Sequence, residues 1–179
     1  MARPRYLAAA VRRDLARKMA FVAGPRQVGK TTLALGLPGG RAGYLNWDIG
    51  LHRERILRGE LPPGRLWIFD EIHKYRRWRN WLKGLYDGRP RGQRILVTGS
   101  ARLEYYRFGG DSLQGRYHLL RLHPFSAAEL GLARPAELRD LLRLGGFPEP
   151  FLSGSETEDR KSTRLNSSHI QKSRMPSSA

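Results

Sequence analysis

Two short stretches carry residues able to do chemistry together. The first is Gly24-Pro25-Arg26-Gln27-Val28-Gly29-Lys30-Thr31, which fits G-x-x-x-x-G-K-[ST] in full and runs on into Thr32. The glycines let the backbone curl until successive N–H groups point inward at phosphate oxygens. A helix starting at Lys30 adds its own unpaired N–H groups and a partial positive charge. In this pattern Lys30 reaches the β- and γ-phosphates of a nucleotide, and the Thr31 hydroxyl joins a magnesium shell. The second stretch is Leu66-Trp67-Ile68-Phe69-Asp70-Glu71, four apolar residues followed by two carboxylates. An apolar strand delivers both acids at its C-terminal end, the edge where ligands bind in an open parallel sheet. There Asp70 would hold magnesium, usually through water, and Glu71 would orient or deprotonate the attacking water. The pair of stretches predicts ATP and Mg2+ as ligands, Lys30 and Glu71 as catalytic residues, and Thr31 and Asp70 as the metal's protein partners.

Other residues carry weaker signals. Thr98 and Ser100 flank Gly99 after an apolar run. A polar residue there either senses the γ-phosphate or simply caps the next helix. Arg116 is a candidate to neutralise phosphate charge in its own or a neighbouring subunit. Arg76, Arg77, Arg79 and Lys83 line the polar side of an expected helix, where a solvated face is favoured over a nucleic-acid contact. The five histidines show no metal-ligand spacing such as H-E-x-x-H.

The elements that must hold these residues follow from apolar runs and breakers. Met19–Ala23 is a compact apolar run and predicts a buried strand ahead of the glycine loop. Further strands are expected at 44–47, 66–69, 95–97 and 117–122. Helical spacing covers 6–18, 31–37, 51–57, 75–86, 126–130 and 136–144, the last stopped by Gly145-Gly146. Short strands, apolar on both faces and separated by helices, predict an α/β chain with a parallel sheet covered by helices. The expected organisation is an N-terminal helix (1–18), a core (19–125), a truncated helical region (126–158) and a tail (159–179). Apolar faces after Leu122 suggest a cover that a missing C-terminal domain would supply.

Length and composition bound these readings. The 179 residues support one domain of ordinary size, and the absence of cysteine excludes disulfides, zinc–thiolate sites and thiol nucleophiles. No apolar run approaches a membrane span and no signal-peptide core opens the chain, which predicts a cytoplasmic protein. The formal charge is +17, from 33 Lys+Arg and 16 Asp+Glu. Nucleic acid is therefore a candidate partner, although an arginine excess also follows from a GC-rich genome. The tail holds six serines and a charge of +4, from five cations and Asp159. Asp159-Arg160-Lys161-Ser162-Thr163-Arg164-Leu165-Asn166-Ser167-Ser168-His169 resembles the translation of a common short-read sequencing adapter. The tail is read as a disordered artefact, with the natural frame cut near Glu158.

Several motifs occur together in an order that resembles a prokaryotic family of AAA-type P-loop ATPases. They are Gly24 to Thr32, Tyr44-Leu45-Asn46, Asp70-Glu71-Ile72, Ile95-Leu96-Val97-Thr98-Gly99-Ser100 and Gly145-Gly146-Phe147-Pro148-Glu149. That family carries a C-terminal domain of unknown function, and the resemblance covers about residues 4–152. It implies a three-layer ASCE-type P-loop sheet, ATP and magnesium binding, and ATP hydrolysis. Many members have Gln at the place of His73. Two other readings compete: a nucleotide-gated DNA-binding module without hydrolysis, and a helicase-like motor suggested by Asp70-Glu71-Ile72-His73. The short loop-to-acid spacing and the lack of room for two lobes weigh against the motor.

Overall fold

The computed structural model describes residues 5–100, 103 and 113–154. The expectation of a disordered artefact at 159–179 lies outside the described residues. Helix α1 (Ala8–Leu15) buries Val11 and Leu15 and leaves Arg12 and Arg13 exposed. It leads into β1 (Met19–Ala23), all five of whose residues are buried. Then follow α2 (Lys30–Leu35), β2 (Tyr44–Asn46), α3 (Gly50–Arg58) and β3 (Leu66–Asp70). A single 3₁₀ turn at Ile72–Lys74 precedes α4 (Trp78–Asp87), β4 (Arg94–Gly99) and β5 (Tyr117–Arg121). Three helices close the described chain: α5 (Ala127–Leu130), α6 (Pro135–Leu144) and α7 (Pro148–Ser153).

All five strands form one sheet in the order β2-β3-β4-β1-β5. Every pairing is parallel. The three inner strands are buried on both faces apart from Arg94, whereas the edge strands β2 and β5 are largely half-buried. This is why the inner strands read as continuous apolar runs. The core on one face gathers Phe21, Leu45, Ile56, Phe69, Trp78, Leu82, Ile95 and Val97. Phe21 stacks on Tyr117 at 4.3 Å, and Phe69 meets Trp81 edge-on at 5.0 Å. The tryptophans of α4 are thus committed to packing.

Expected and observed elements differ by one to three residues at several ends, with α1 covering Ala8–Leu15 of the expected 6–18, and two differences have a clear physical cause. The helix expected from Tyr75 begins at Trp78, because the chain first spends Ile72–Lys74 in the 3₁₀ turn that ends the acidic strand. Helix α7 follows the Gly145-Gly146 stop and was not expected. Its start is set by Pro148 at the first helical position, where the missing N–H costs nothing.

The chain divides into two compact units. One holds the sheet, with residues up to Gly24 and Lys30–Leu122; the other joins Pro25–Gly29 to the residues from His123 onward. Within the second, Phe125 N–H donates to Gly146 O at 2.6 Å and Phe125 meets Phe151 edge-on. Its helices leave Leu142 and Leu152 exposed. Among the described residues, no helix is long and apolar enough to cross a membrane.

Candidate functional site

The glycine loop connects β1 to α2. Gln27 and Gly29 both take positive φ, at 60° and 93°, so the backbone curls before the helix starts. Gly29 adopts this conformation without the steric cost that any Cβ would bring. Gly24 and Val28 are buried, Pro25 and Gly29 half-buried, and Arg26 and Gln27 exposed. Lys30 opens α2, is 8% exposed, and donates from Nζ to Gly24 O at 3.0 Å. Thr31 follows, half-buried, and Thr32 is exposed on the outer side of the first turn.

Asp70 ends β3, only 4% exposed. Three hydroxyls donate to its carboxylate. Thr31 Oγ1 reaches Oδ2 at 2.9 Å, Tyr44 Oη reaches Oδ2 at 2.7 Å, and Thr98 Oγ1 reaches Oδ1 at 2.6 Å. Strand register explains the convergence: Asn46 lies opposite Asp70 on one side and Thr98 lies opposite it on the other. Asn46 Nδ2 in turn donates to Tyr44 Oη at 3.1 Å. Burial first, then the hydrogen bond to Asp70, pushes the Tyr44 phenol well above its ordinary pKa. Tyr44 therefore stays protonated and acts as a donor. Neutral donors of this kind orient the carboxylate without cancelling its charge.

Glu71 stands where β3 gives way to the 3₁₀ turn, with a left-handed backbone at φ 55°. A non-glycine residue there costs of order 1–2 kcal/mol and is held in place by its surroundings. Its N–H donates to Thr98 O at 2.9 Å. Burial raises the Glu71 carboxyl above its ordinary value, opposed most by the Lys74 ammonium at 3.5 Å and less by Lys30. His73 Nε2 lies 3.6 Å from Glu71 Oε2 and 3.5 Å from Ser100 Oγ. The His73 ring packs onto Gly99, where an added Cβ would come within 2.8 Å of Nδ1.

Lys30, Thr31, Asp70, Glu71 and Thr98 thus gather at the C-terminal edge of the sheet, and Ser100 joins through His73. Arg116 does not. It precedes β5 at the opposite edge, where its N–H groups hold Asp87 at 2.9 and 3.1 Å. Tyr44 and Asn46 were missed as site residues. Their signal was present, since alternate residues of a strand share a face, but it needed the pairing with β3 to become visible.

Residues 16–131 match the family described as the AAA domain. The chain belongs to that family. Its α/β fold is the P-loop type of the AAA domain, a parallel sheet flanked by helices, and it is a nucleotide-binding ATPase module. A solved structure, a DNA polymerase III gamma subunit-related protein from Thermotoga maritima, aligns with a TM-score of 0.43 and 12% identity. The alignment covers 92% of this chain and 58% of that one, so the chain spans little more than half of that protein's length. No curated protein matches the chain.

Proposed function

We propose that this AAA domain binds ATP with Mg2+ and hydrolyses it, as the ATPase module of a larger cytoplasmic protein. The observation that carries the reading is the meeting of Thr31 Oγ1 with Asp70 Oδ2 at 2.9 Å, from positions 39 residues apart. These are hard oxygen donors, the type Mg2+ prefers, and two of them leave room for phosphate oxygens and water. Bound there, the metal would screen phosphate charge. Thr31 and Asp70 would hold it, with Tyr44 and Thr98 keeping the carboxylate oriented. The curled backbone from Gly24 through Pro25, Arg26, Gln27 and Val28 to Gly29 receives the phosphates, and Lys30 leaves Gly24 O for them. Thr32 extends the first turn of α2. Glu71, partly desolvated, takes a proton from or aligns the attacking water.

Thr98 acts through Asp70, and Ser100 through His73 on Glu71. Arg116 has no part in the chemistry of its own subunit. The exposed Leu142 and Leu152 support a further domain beyond the described helices.

Two variants test the proposal. Lys30→Ala is expected to lower ATP affinity about 100-fold or more in a calorimetric titration. Glu71→Gln should keep that affinity while phosphate release falls about 100-fold. Undiminished ATP binding by Lys30→Ala would refute the site, and undiminished phosphate release by Glu71→Gln would refute the assigned base.

A further inference from the structure

At the N-terminal edge of the sheet, opposite Asp70, a cavity of about 410 Å³ opens beneath the starts of β1 and β4. Its apolar floor includes Leu15, Met19 and Ile95, all buried. Its rim is basic: Arg17, Lys18, Arg65, Arg89, Arg91 and Arg94 all line it, and no acidic residue does among the described residues.

The topology makes this cluster. Lys18 precedes β1, Arg65 precedes β3 and Arg94 begins β4, and these three strands are neighbours in the sheet. Parallel pairing brings their starts side by side, about 5 Å apart from strand to strand. Arg94 N–H donates to Arg65 O at 2.9 Å, which fixes two of the cations next to each other. Arg89 lies over the Tyr86 ring, 3.5 Å from its centroid, and holds its charge at the cavity mouth.

The nearest carboxylates in sequence make their direct ion pairs with other residues, although Asp87 is still within electrostatic reach of Arg89. Asp14 sits beside His118 and Arg13, and Asp87 is held by Arg116. None of the six rim cations has an ion pair among the described residues. Like charges gathered at one concave surface repel one another unless an external anion neutralises them. A composition rich in arginine explains the number of cations, but not the gathering of six of them around one cavity with no acidic residue among its described lining residues.

We propose that this cavity binds the phosphodiester backbone of single-stranded nucleic acid. Six guanidinium and ammonium groups suit several successive phosphates, and arginine suits them by its bidentate fork. A recess of this volume is too small to enclose a duplex, whereas a flexible single strand can bend its phosphates onto the rim. Recognition is independent of base sequence, because Tyr86 is covered by Arg89 and offers no open face for a base to stack on. The site is separate from the nucleotide edge, and its function does not depend on ATP hydrolysis.

The test is a fluorescence-anisotropy titration of the full chain with a labelled single-stranded oligonucleotide, repeated over a salt series. Replacing Arg65, Arg91 and Arg94 together by alanine is expected to weaken binding at least tenfold at low salt. It should also flatten the plot of log affinity against log salt by about 2, at roughly 0.7 per lost phosphate contact. Lysine at the same three positions should restore most of the affinity. Lys30→Ala should leave oligonucleotide binding intact while ATP binding is lost, so either site can fail without the other. An unchanged salt slope in the alanine triple variant would overturn the proposal. So would an equal loss when Arg76 and Arg77, just before α4, and Arg79 within it are replaced instead. Tighter binding of a duplex, or of inorganic polyphosphate with the same number of phosphates, would overturn the assigned partner.

Discussion

The two ends of one parallel sheet treat charge in opposite ways. At the C-terminal edge, Asp70 is nearly buried and its carboxylate accepts from Thr31, Tyr44 and Thr98. At the N-terminal edge, six cations line a cavity whose described lining residues include no acid. The first arrangement is satisfied internally by neutral donors, which hold a charge in place and leave it available to a cation. The second is only partly neutralised, by Tyr86 and Asp87 near Arg89, and on the proposal above gains further stability when an anion arrives. The hydroxyl network is therefore a structural unit as well as a site, whereas the basic rim contributes little to folding.

That contrast can be broken most directly at Asp70. Asp70→Ala leaves three donors without their shared acceptor and is expected to cost about 3 kcal/mol, read from the urea midpoint. Arg94→Ala on the exposed rim should change stability by no more than about 0.5 kcal/mol. Comparable losses from the two would erase the distinction. A smaller effect is expected at Glu71, whose carboxyl is raised above its ordinary value of 4.5, first by burial. The folded state then holds this proton more tightly than the unfolded chain. The contribution of Glu71 is most favourable below the unfolded value and is lost as pH rises through the raised folded value. Glu71→Gln removes that loss and should stabilise the protein by about 1 kcal/mol at neutral pH, with the gain vanishing in acid. A gain that persists unchanged at pH 4 would point to relief of something other than ionisation. Tyr44→Phe is expected to cost about 0.5–1.5 kcal/mol in thermal melts, through loss of the donor to Asp70 and of the acceptor for Asn46. Its effect should shrink when Asp70 is already alanine, because the bond from Tyr44 to Asp70 is then already lost and only that from Asn46 remains.

Much of the fold was legible because the inner strands of a covered parallel sheet must be apolar on both faces. Met19–Ala23 was read at its observed bounds, and Leu66–Asp70 and Arg94–Gly99 each contain the apolar run that announced them. The glycine loop was legible for a local reason: its spacing is set by backbone geometry within eight residues. The start of α4 was misread because the apolar spacing of Tyr75, Trp78 and Trp81 continues across a turn that breaks the helix, and periodicity does not register hydrogen bonding. Arg116 was a sequence candidate to neutralise phosphate charge in its own or a neighbouring subunit. Only its position before β5 revealed that it faces the other edge, paired with Asp87.

By itself, then, the amino-acid sequence determined which residues share a loop or a strand, because those relations are carried by spacing along the chain. It specified the curl at Gly24–Lys30, the acids at the end of β3 and the apolar strands that bury them. Tertiary structure alone decided which distant residues meet. Tyr44 reaches Asp70 because β2 pairs with β3 in the register that sets Asn46 beside Asp70. Lys18, Arg65 and Arg94 gather because three parallel strands begin at the same edge. Parallel pairing collects all strand starts at one edge and all strand ends at the other, and no spacing along the chain records which strands will be neighbours.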